Sequence, residues 1–512
     1  MPLTEASLPF DPAGIILDPK GGLSRQLYEA LKTRALDGRL SPGVRLPASR
    51  DMARLLNISR NSVLRAYEQL FAEGFTETRV GDGTYVAEVS IGGLKQSTHL
   101  PTAFSTGLPT ALSTKNTKKP GHIPSTNGVC NGSLTAANGP SQQPRPSAPM
   151  AFRVGIPAID LFPFSTWSKL QRDFWRAPDP ALLGYQPAAG DVQLRELIAA
   201  YLRSSRGLIC DSDQILITCG AQHAIRVCAQ LLLSPGDTAA VENPGYRAAA
   251  GAIANAGVKL IGIAVDGEGL QSAQLKYHPH CRLVYVTPAH QYPTGVTLSL
   301  ARRLELLAWA QRTEGWIIED DYDGEYRYSG APLAPLASLD PNGRVLYVGT
   351  FSKVAFPALR LGYLVLPKPL VERFVQRCAV DNRHLEIGVQ RVMARFMAEG
   401  HFQRHVRRMR KAALARRDAL FDSWPGSVPG CGPLPAVNAG LHLKIDVAGI
   451  AQEKRLIEKA AQQGVELNPL SSYWLADTQV PGDSRAGLVL GFAGVPEAQI
   501  ARATQGLRRA WL

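Results

Sequence analysis

From Ala151 onward, short apolar runs alternate with stretches of helical period, and this alternation limits the fold more than any other feature of the chain. The runs are Ile215–Thr218, Thr238–Glu242, Leu260–Ile263, Arg282–Thr287, Trp316–Glu319, Val345–Gly349 and Leu361–Val365. A run of this length without polar alternation reads as a strand buried on both faces. Strands separated by helices imply βαβ units and a mainly parallel sheet. After about Val380 the pattern turns helix-rich and then mixed, which predicts a smaller α+β lobe over about residues 385–512.

Two other regions precede this domain, which is expected over residues 151–512. Residues 20–87 read as three helices and a short hairpin. Leu23, Leu27 and Leu31 fall at i, i+4 spacing, Ser49 is the expected N-cap of a second helix, and Ser59 that of a third, which Gly74 stops. Phe75–Thr78 and Thr84–Val86 are β runs around the turn signal Gly81-Asp-Gly83. Residues 88–150 are rich in Ser, Thr, Pro, Asn and Gly and show no period. Such a segment is too long for a loop inside a compact domain, so a flexible linker is expected.

Composition adds exclusions rather than assignments. The net charge of +13 suggests nucleic acid, but residues 1–86 carry 11 Lys+Arg against 10 Asp+Glu, so any DNA footprint must be local. The seven cysteines contain no C-x-x-C pair, which fits reduced thiols better than disulfides or zinc, and no metal site is expected. Met1-Pro-Leu-Thr-Glu-Ala-Ser lacks a basic region followed by an apolar one, and no apolar run is long enough to span a bilayer. A cytoplasmic location without membrane contact is the expectation.

The turn Asn57-Ile-Ser59 between two helices, followed by a polar-faced third helix, has the form of a helix–turn–helix. Arg60, Asn61, Ser62 and Arg65 gather at the start of the third helix, where side chains reach base edges in a major groove. Arg45, Ser49 and Arg50 stand at the entrance to the second helix and suit phosphate contacts. Five arginines and one acid between Arg45 and Arg65 form the local basic patch. Gly83 and Thr84 would sit on the wing. The alternative is a helical packing module with a solvated basic face.

A second constellation lies in the α/β region. Lys353 follows Gly349-Thr-Phe-Ser and precedes Arg360-Leu-Gly362, while Asp320 ends the strand Trp316–Glu319. A lysine able to form a Schiff base and a carboxylate able to keep a pyridine nitrogen protonated are what pyridoxal 5'-phosphate requires. Burial and the neighbouring Arg360 are expected to lower the pKa of Lys353. Gly220-Ala221-Gln222 follows a strand and opens a helix, a position that binds phosphate through backbone N–H groups. Thr350, Ser352 and Arg360 can add hydroxyl and guanidinium contacts to that phosphate. Tyr322 is placed to donate to the ring oxygen. Tyr246 either stacks on the ring or is a core aromatic. Asp321 and Asp323 are expected to be solvated or structural. The basic stretch Arg404–Lys411 has helical period and reads as a solvated face, with DNA backbone contact as the alternative.

The phrases Leu46-Pro-Ala-Ser-Arg50-Asp-Met-Ala, Ser59-Arg-Asn-Ser-Val-Leu-Arg-Ala-Tyr67 and Gly83-Thr-Tyr-Val resemble the winged helix–turn–helix of GntR-type bacterial regulators. Residues from about 155 onward resemble fold-type I aminotransferases. Glu242-Asn-Pro-Gly-Tyr246, Thr287-Pro-Ala-His-Gln-Tyr-Pro-Thr-Gly295, Glu319-Asp-Asp-Tyr322 and Gly349-Thr-Phe-Ser-Lys353 are similar to the MocR family, which joins both parts through a linker. The resemblance implies that Lys353 is the Schiff-base lysine, Asp320 the pyridine partner, Tyr246 the stacking ring, and Arg360 with Gly220, Ala221 and Gln222 the phosphate cradle. It also implies a homodimer in which each reader crosses to the partner's cofactor domain.

Two positions depart from working aminotransferases. Tyr292 stands where those enzymes commonly have the Asn that bonds the ring oxygen. Val489 stands where they carry the arginine for a substrate carboxylate, with Arg485 slightly upstream. The expectation is therefore a regulator that reads a double-stranded DNA operator and senses a small amine, an amino acid or pyridoxal phosphate itself. A catalytic aminotransferase with an attached DNA-binding module is the alternative.

Overall fold

The computed structural model describes residues 15–19, 21–79, 82–88, 151–328, 333–476 and 480–512. The expected linker lies outside them except for its first residue, and Gly81 of the expected wing turn lies outside them as well.

The N-terminal unit consists of α1 (Leu23–Leu36), α2 (Ser49–Leu55), α3 (Arg60–Ala72), β1 (Thr76–Arg79) and β2 (Gly83–Val86). Leu27 and Leu31 from α1, Met52 from α2, and Val63 and Leu70 from α3 are buried together. The Ser59 hydroxyl accepts a hydrogen bond from the Ser62 N–H at 3.1 Å and so caps α3. Gly74, at φ +81°, takes the left-handed position that ends the helix. The strands pair antiparallel with Thr76 opposite Val86. One expectation fails locally. Ala48, not Ser49, holds the cap position of α2, and no side chain bonds the helix end. The Ser49 hydroxyl instead accepts from Arg60 Nε at 3.2 Å, which ties α2 to the start of α3.

The second unit is built on a sheet of eight strands. In chain order these are β3 (Ile215–Thr218), β4 (Thr238–Asn243), β5 (Lys259–Asp266), β6 (Gly269–Leu270), β7 (Cys281–Val286), β8 (Trp316–Asp320), β9 (Val345–Thr350) and β10 (Gly362–Val365). Their spatial order is β3-β10-β9-β8-β7-β4-β5-β6. The run from β9 through β8, β7 and β4 to β5 is parallel, whereas β10 is antiparallel to both neighbours and β6 is antiparallel to β5. Every residue of β3, β9 and β10 is buried. Helices cover both faces, which explains the apolar runs in the sequence. The parallel strands β4, β7, β8 and β9 all end along one edge, the place where open α/β sheets bind ligands.

A smaller lobe carries β11 (His442–Asp446), β12 (Asn468–Pro469) and β13 (Gly487–Gly491) in the antiparallel order β11-β13-β12. Its long helix His401–Ser423 buries Phe402, His405, Val406 and Met409 and exposes Arg404, Arg407, Arg408 and Lys411. That spacing makes the basic stretch one solvated helical face. The N-terminal unit packs on the α/β unit. Arg25 Nη1 donates to the Ser204 carbonyl at 3.1 Å, the Ala334 N–H donates to Glu73 Oε1 at 3.2 Å, and Leu304 joins the cluster of Leu40, Phe75 and Val86. No helix among the described residues is long and apolar enough to cross a membrane.

Candidate functional site

Lys353 lies just beyond β9, and its Nζ donates to the Gly155 carbonyl at 2.8 Å. A β-carbon on Gly155 would lie 3.0 Å from that nitrogen, and the residue adopts φ +78°, so glycine is what admits the lysine here. Burial holds the Lys353 ammonium below the usual lysine range, and the carboxylates of Asp323 and Asp320 oppose it. The expected help from Arg360 is not seen. That side chain is exposed and sits over Gly220 instead, so burial alone favours the neutral amine.

Asp320 is the last residue of β8 and 3% exposed. The Tyr285 hydroxyl donates to its Oδ2 at 2.8 Å, while Oδ1 has no hydrogen-bond partner. Burial pushes its carboxyl up to about 7, against the lowering effect of the Tyr285 hydrogen bond. A buried carboxylate with one orphaned oxygen is a site prepared for a cationic N–H.

Gly220 caps the helix Ala221–Leu232 at φ +75°, and its β-carbon would meet the Arg360 guanidinium at 3.4 Å. Arg360 Nη2 donates to the Cys219 carbonyl at 2.9 Å, which fixes the guanidinium above the helix N-terminus. Backbone N–H groups and a cation thus face the same space. Arg360 borders an open cavity of about 620 Å³ together with Cys219, Gln222, His223 and Arg226. The Gln222 amide donates to the Ala248 carbonyl at 2.7 Å, so this residue offers the cavity mainly its backbone N–H. Thr350 Oγ1 accepts from the Ser352 N–H at 3.1 Å, which shapes the turn leading to Lys353.

Four tyrosines form one wall. The Tyr292 ring lies edge-on to Tyr246, Tyr322 and Tyr473, with centroids 5.6, 5.8 and 5.4 Å away. Tyr246 is half-buried and packs against the core beneath the sheet's helices, with its ring edge-on to Tyr292. Val489 is fully buried with Leu470 and Tyr473 and packs against Tyr292. The position that matches the carboxylate-binding arginine of aminotransferases is therefore apolar. Arg485 does not replace it, since its Nε donates to the Val480 carbonyl at 2.8 Å.

Sequence reasoning missed several partners. Tyr285, Gly155, His290 and His442 touch or surround the site, yet each is distant in the chain from the residue it serves. A tyrosine inside the apolar run of β7 was the only local clue, because a buried hydroxyl needs a partner. Asp321 and Asp323 are structural, as one alternative held, but neither is solvated. Asp321 is 7% exposed and paired with Arg206, and Asp323 is 2% exposed and bonded to His290 at 2.9 Å.

On the N-terminal unit, Arg45, Arg50, Arg60, Asn61 and Arg65 are exposed, with Ser62, Gly83 and Thr84 partly so. Arg45 is held to the wing by the Asp82 carbonyl, so the base of α2 and the hairpin form one surface.

Comparisons with known proteins agree with this division. Residues 23–86 match the gntR family of bacterial regulatory proteins, and residues 152–436 match class I and II aminotransferases. The chain is 34% identical over 490 residues to the probable rhizopine catabolism regulatory protein MocR of Rhizobium meliloti, covering 96% of this chain and 94% of that one. It is 30% identical over 474 residues to the pyridoxine biosynthesis regulator PdxR of Corynebacterium glutamicum, covering 92% of both. Among solved structures, the kynurenine aminotransferase of Pyrococcus horikoshii aligns with a TM-score of 0.63 and 28% identity over 70% of this chain and 89% of that one. A gntR-family reader joined to an aminotransferase fold, matched almost end to end by MocR, makes this chain a member of the MocR-type GntR family of DNA-binding transcriptional regulators.

Proposed function

We propose that the aminotransferase-like domain binds pyridoxal 5'-phosphate covalently at Lys353 and that occupancy of this site, by the cofactor or by a small amine captured on it, changes operator binding by the reader. The observation that carries this reading is the orphaned Oδ1 of Asp320 in the cleft that also holds Lys353, whose ammonium burial disfavours. When bound, pyridoxal phosphate supplies an aldehyde for capture of an amine and a ring that accepts electrons. Asp320 would hold the proton on the ring nitrogen, with Tyr285 fixing its other oxygen. Tyr322 would donate to the ring oxygen, and Tyr246 would stack on the ring face. Arg360, Thr350, Ser352 and the N–H groups of Gly220, Ala221 and Gln222 would hold the phosphate.

Val489 favours sensing over turnover. An amino-acid carboxylate beside a buried valine would lack the bidentate partner that repays its desolvation. The effector is thus an amine or the cofactor itself in preference to an α-amino acid. A homodimer with crossed readers would move the contacts of Arg25 and Glu73 between chains without changing their chemistry. A regulatory effect requires that the ligand prefer one arrangement of readers over another.

Borohydride reduction and peptide mapping test the reading. The pyridoxyl group is expected on Lys353 and is expected to vanish in Lys353→Ala; a persistent adduct elsewhere would remove the proposal. Operator affinity is expected to differ between cofactor-free and loaded protein, and equal affinities would leave the cofactor without a signalling role. Incubation with amino and keto acids is expected to shift the absorption spectrum without sustained turnover, whereas robust turnover supports the catalytic alternative.

For the reader, Arg60, Asn61, Ser62 and Arg65 would contact base edges, and Arg45, Ser49, Arg50, Ser59, Gly83 and Thr84 the backbone. Against an operator selected from random duplexes, Asn61→Ala or Arg65→Ala should cost about 1–3 kcal/mol and relax one base position. Arg50→Ala should weaken all sequences alike and lower the salt slope by about one unit. An unchanged sequence logo for both Asn61→Ala and Arg65→Ala would move base readout off α3.

A further inference from the structure

The end of α3 is gripped from outside the reader. Glu73 holds the C-cap of this helix, and the Tyr28 hydroxyl of α1 donates to its Oε2. The Gln69 amide and the backbone N–H of Ala334 both donate to its Oε1, the latter at 3.2 Å across the boundary between the two units. Lys32 of α1 is 5% exposed and lies over the Tyr28 ring. Burial holds its ammonium below the usual lysine range, and the Glu73 carboxylate opposes that shift. Arg65 and Glu73 stand about 12 Å apart along the helix axis. The grip therefore leaves the base-reading end of α3 free.

Ala334 is in turn tied to the cleft of Asp320 by two routes. Its carbonyl accepts from Arg303 Nη1 at 2.8 Å, and the same buried guanidinium holds the carbonyls of Leu298 at 2.9 Å and Pro288 at 3.1 Å. Pro288 lies on the loop that carries Tyr292 of the tyrosine wall. The second route runs through Glu319, which is 1% exposed and accepts from the N–H groups of Leu336 at 2.7 Å and Ala337 at 2.8 Å. Glu319 precedes Asp320 on β8, so the two carboxylates leave the strand on opposite faces of the sheet. Ile317, on the Glu319 face, shares one apolar cluster with Leu27, Leu31 and Leu70 of the reader, whereas Ile318, on the Asp320 face, belongs to another. The reader's core thus continues onto the face of β8 that backs Asp320. Both routes end on backbone atoms of residues 334–337, so no side-chain rotation within that segment can absorb a displacement of β8 or of the Pro288 loop.

We propose that Glu73 is the coupling residue of this regulator, and that residues 334–337, held by Glu319 and Arg303, pass occupancy of the Lys353 cleft to the orientation in which α3 meets DNA. The inference rests on the reading above that occupancy changes operator binding. It is the same whether reader and cleft belong to one chain or to two.

Operator affinity of the full-length protein, with and without pyridoxal phosphate, tests it on an operator selected from random duplexes. The two wild-type affinities are expected to differ by ~5-fold or more, the lower end of such couplings. Ala334→Pro deletes the N–H that Glu73 accepts, and Glu73→Ala deletes the acceptor. In both variants the ratio of affinities is expected to fall to within about 2-fold of one, and by linkage the operator should no longer alter cofactor affinity. Ala334→Gly keeps the N–H and should keep the wild-type ratio. Each variant should still bind pyridoxal phosphate and select the same bases, which separates lost coupling from a damaged fold. Glu73→Ala strands Tyr28 and Lys32; if that reader fails to fold, Ala334→Pro decides alone, because it lies outside the reader. A wild-type ratio retained in Ala334→Pro that still binds the cofactor overturns the inference and leaves the reading above standing. A ratio of one in the wild-type protein removes that reading, and the coupling with it.

Discussion

Asp320→Ala is expected to weaken pyridoxal phosphate binding by roughly 10- to 150-fold, the worth of a charge-assisted hydrogen bond of about 1.5–3 kcal/mol. The carboxylate ends β8 with one oxygen held by Tyr285 and the other without a partner, so it can accept from a ring N–H. Titration of cofactor-free protein, followed by the absorbance of the lysine adduct, gives the affinity directly. Asp320→Asn separates charge from shape, because it keeps the size and the Tyr285 contact while losing the anion. Its affinity should fall almost as far as that of the alanine variant. An unchanged affinity in Asp320→Asn would show that a different group holds the ring nitrogen.

The same residue sets a pH dependence in the cofactor-free protein. Burial raises its carboxyl to about 7, whereas an aspartate in the unfolded chain titrates near ~3.9. Between those values the folded state binds more protons than the unfolded one. Stability therefore falls as pH rises through this window, by up to ~1.4 kcal/mol per pH unit, and levels off above it. Glu242, Glu319 and Glu325 are likewise raised to about 7 by burial and add slopes of the same sign. The informative quantity is thus the difference between wild type and Asp320→Asn across pH 4–7, which should shrink toward low pH and be largest near neutrality. Denaturation midpoints that run parallel across this range would place the Asp320 titration elsewhere.

Much of this arrangement could be read from residue order, and the part that could not shares one cause. Buried parallel strands announce themselves as unbroken apolar runs, so a residue such as Asp320 at the end of a run lies at the ligand edge of the sheet. Lys353, Gly220 and Arg360 were equally legible because each carries a local backbone or charge signature. The partners that give these residues their properties were not. Tyr285 reaches Asp320 across adjacent strands, Gly155 meets Lys353 from 198 residues away, and His442 arrives from another lobe. Strand register and lobe closure decide such meetings, and neither leaves a spacing in the sequence. Ser49 illustrates the local version of the limit. Its residue type suits a cap, but a competing donor on α3 claimed the hydroxyl.

Arg206→Ala is expected to be among the most destabilising single changes in the molecule, at about 3–5 kcal/mol by denaturant unfolding. The Arg206 and Asp321 side chains are each 3% exposed and paired. Arg206 Nη1 also donates to the Gly324 carbonyl at 2.8 Å, and the Tyr347 hydroxyl donates to Asp321 Oδ2 at 2.5 Å. Removing the arginine leaves a carboxylate buried with a single hydroxyl for company. The effect extends to the proposed cofactor site, because Asp321 adjoins Asp320 and already opposes its ionisation. Cofactor affinity should therefore drop together with stability, although Arg206 itself touches no part of the cradle. An apolar replacement of the central group, Arg206→Met with Asp321→Leu and Tyr347→Phe, should recover part of the stability, since neither the Asp321 carboxylate nor the Tyr347 hydroxyl is then stranded, while the Gly324 carbonyl and Glu325 still lose the arginine. If Arg206→Ala costs less than ~1 kcal/mol, the pair does not hold the end of β8, and Asp320 must be positioned by Tyr285 alone.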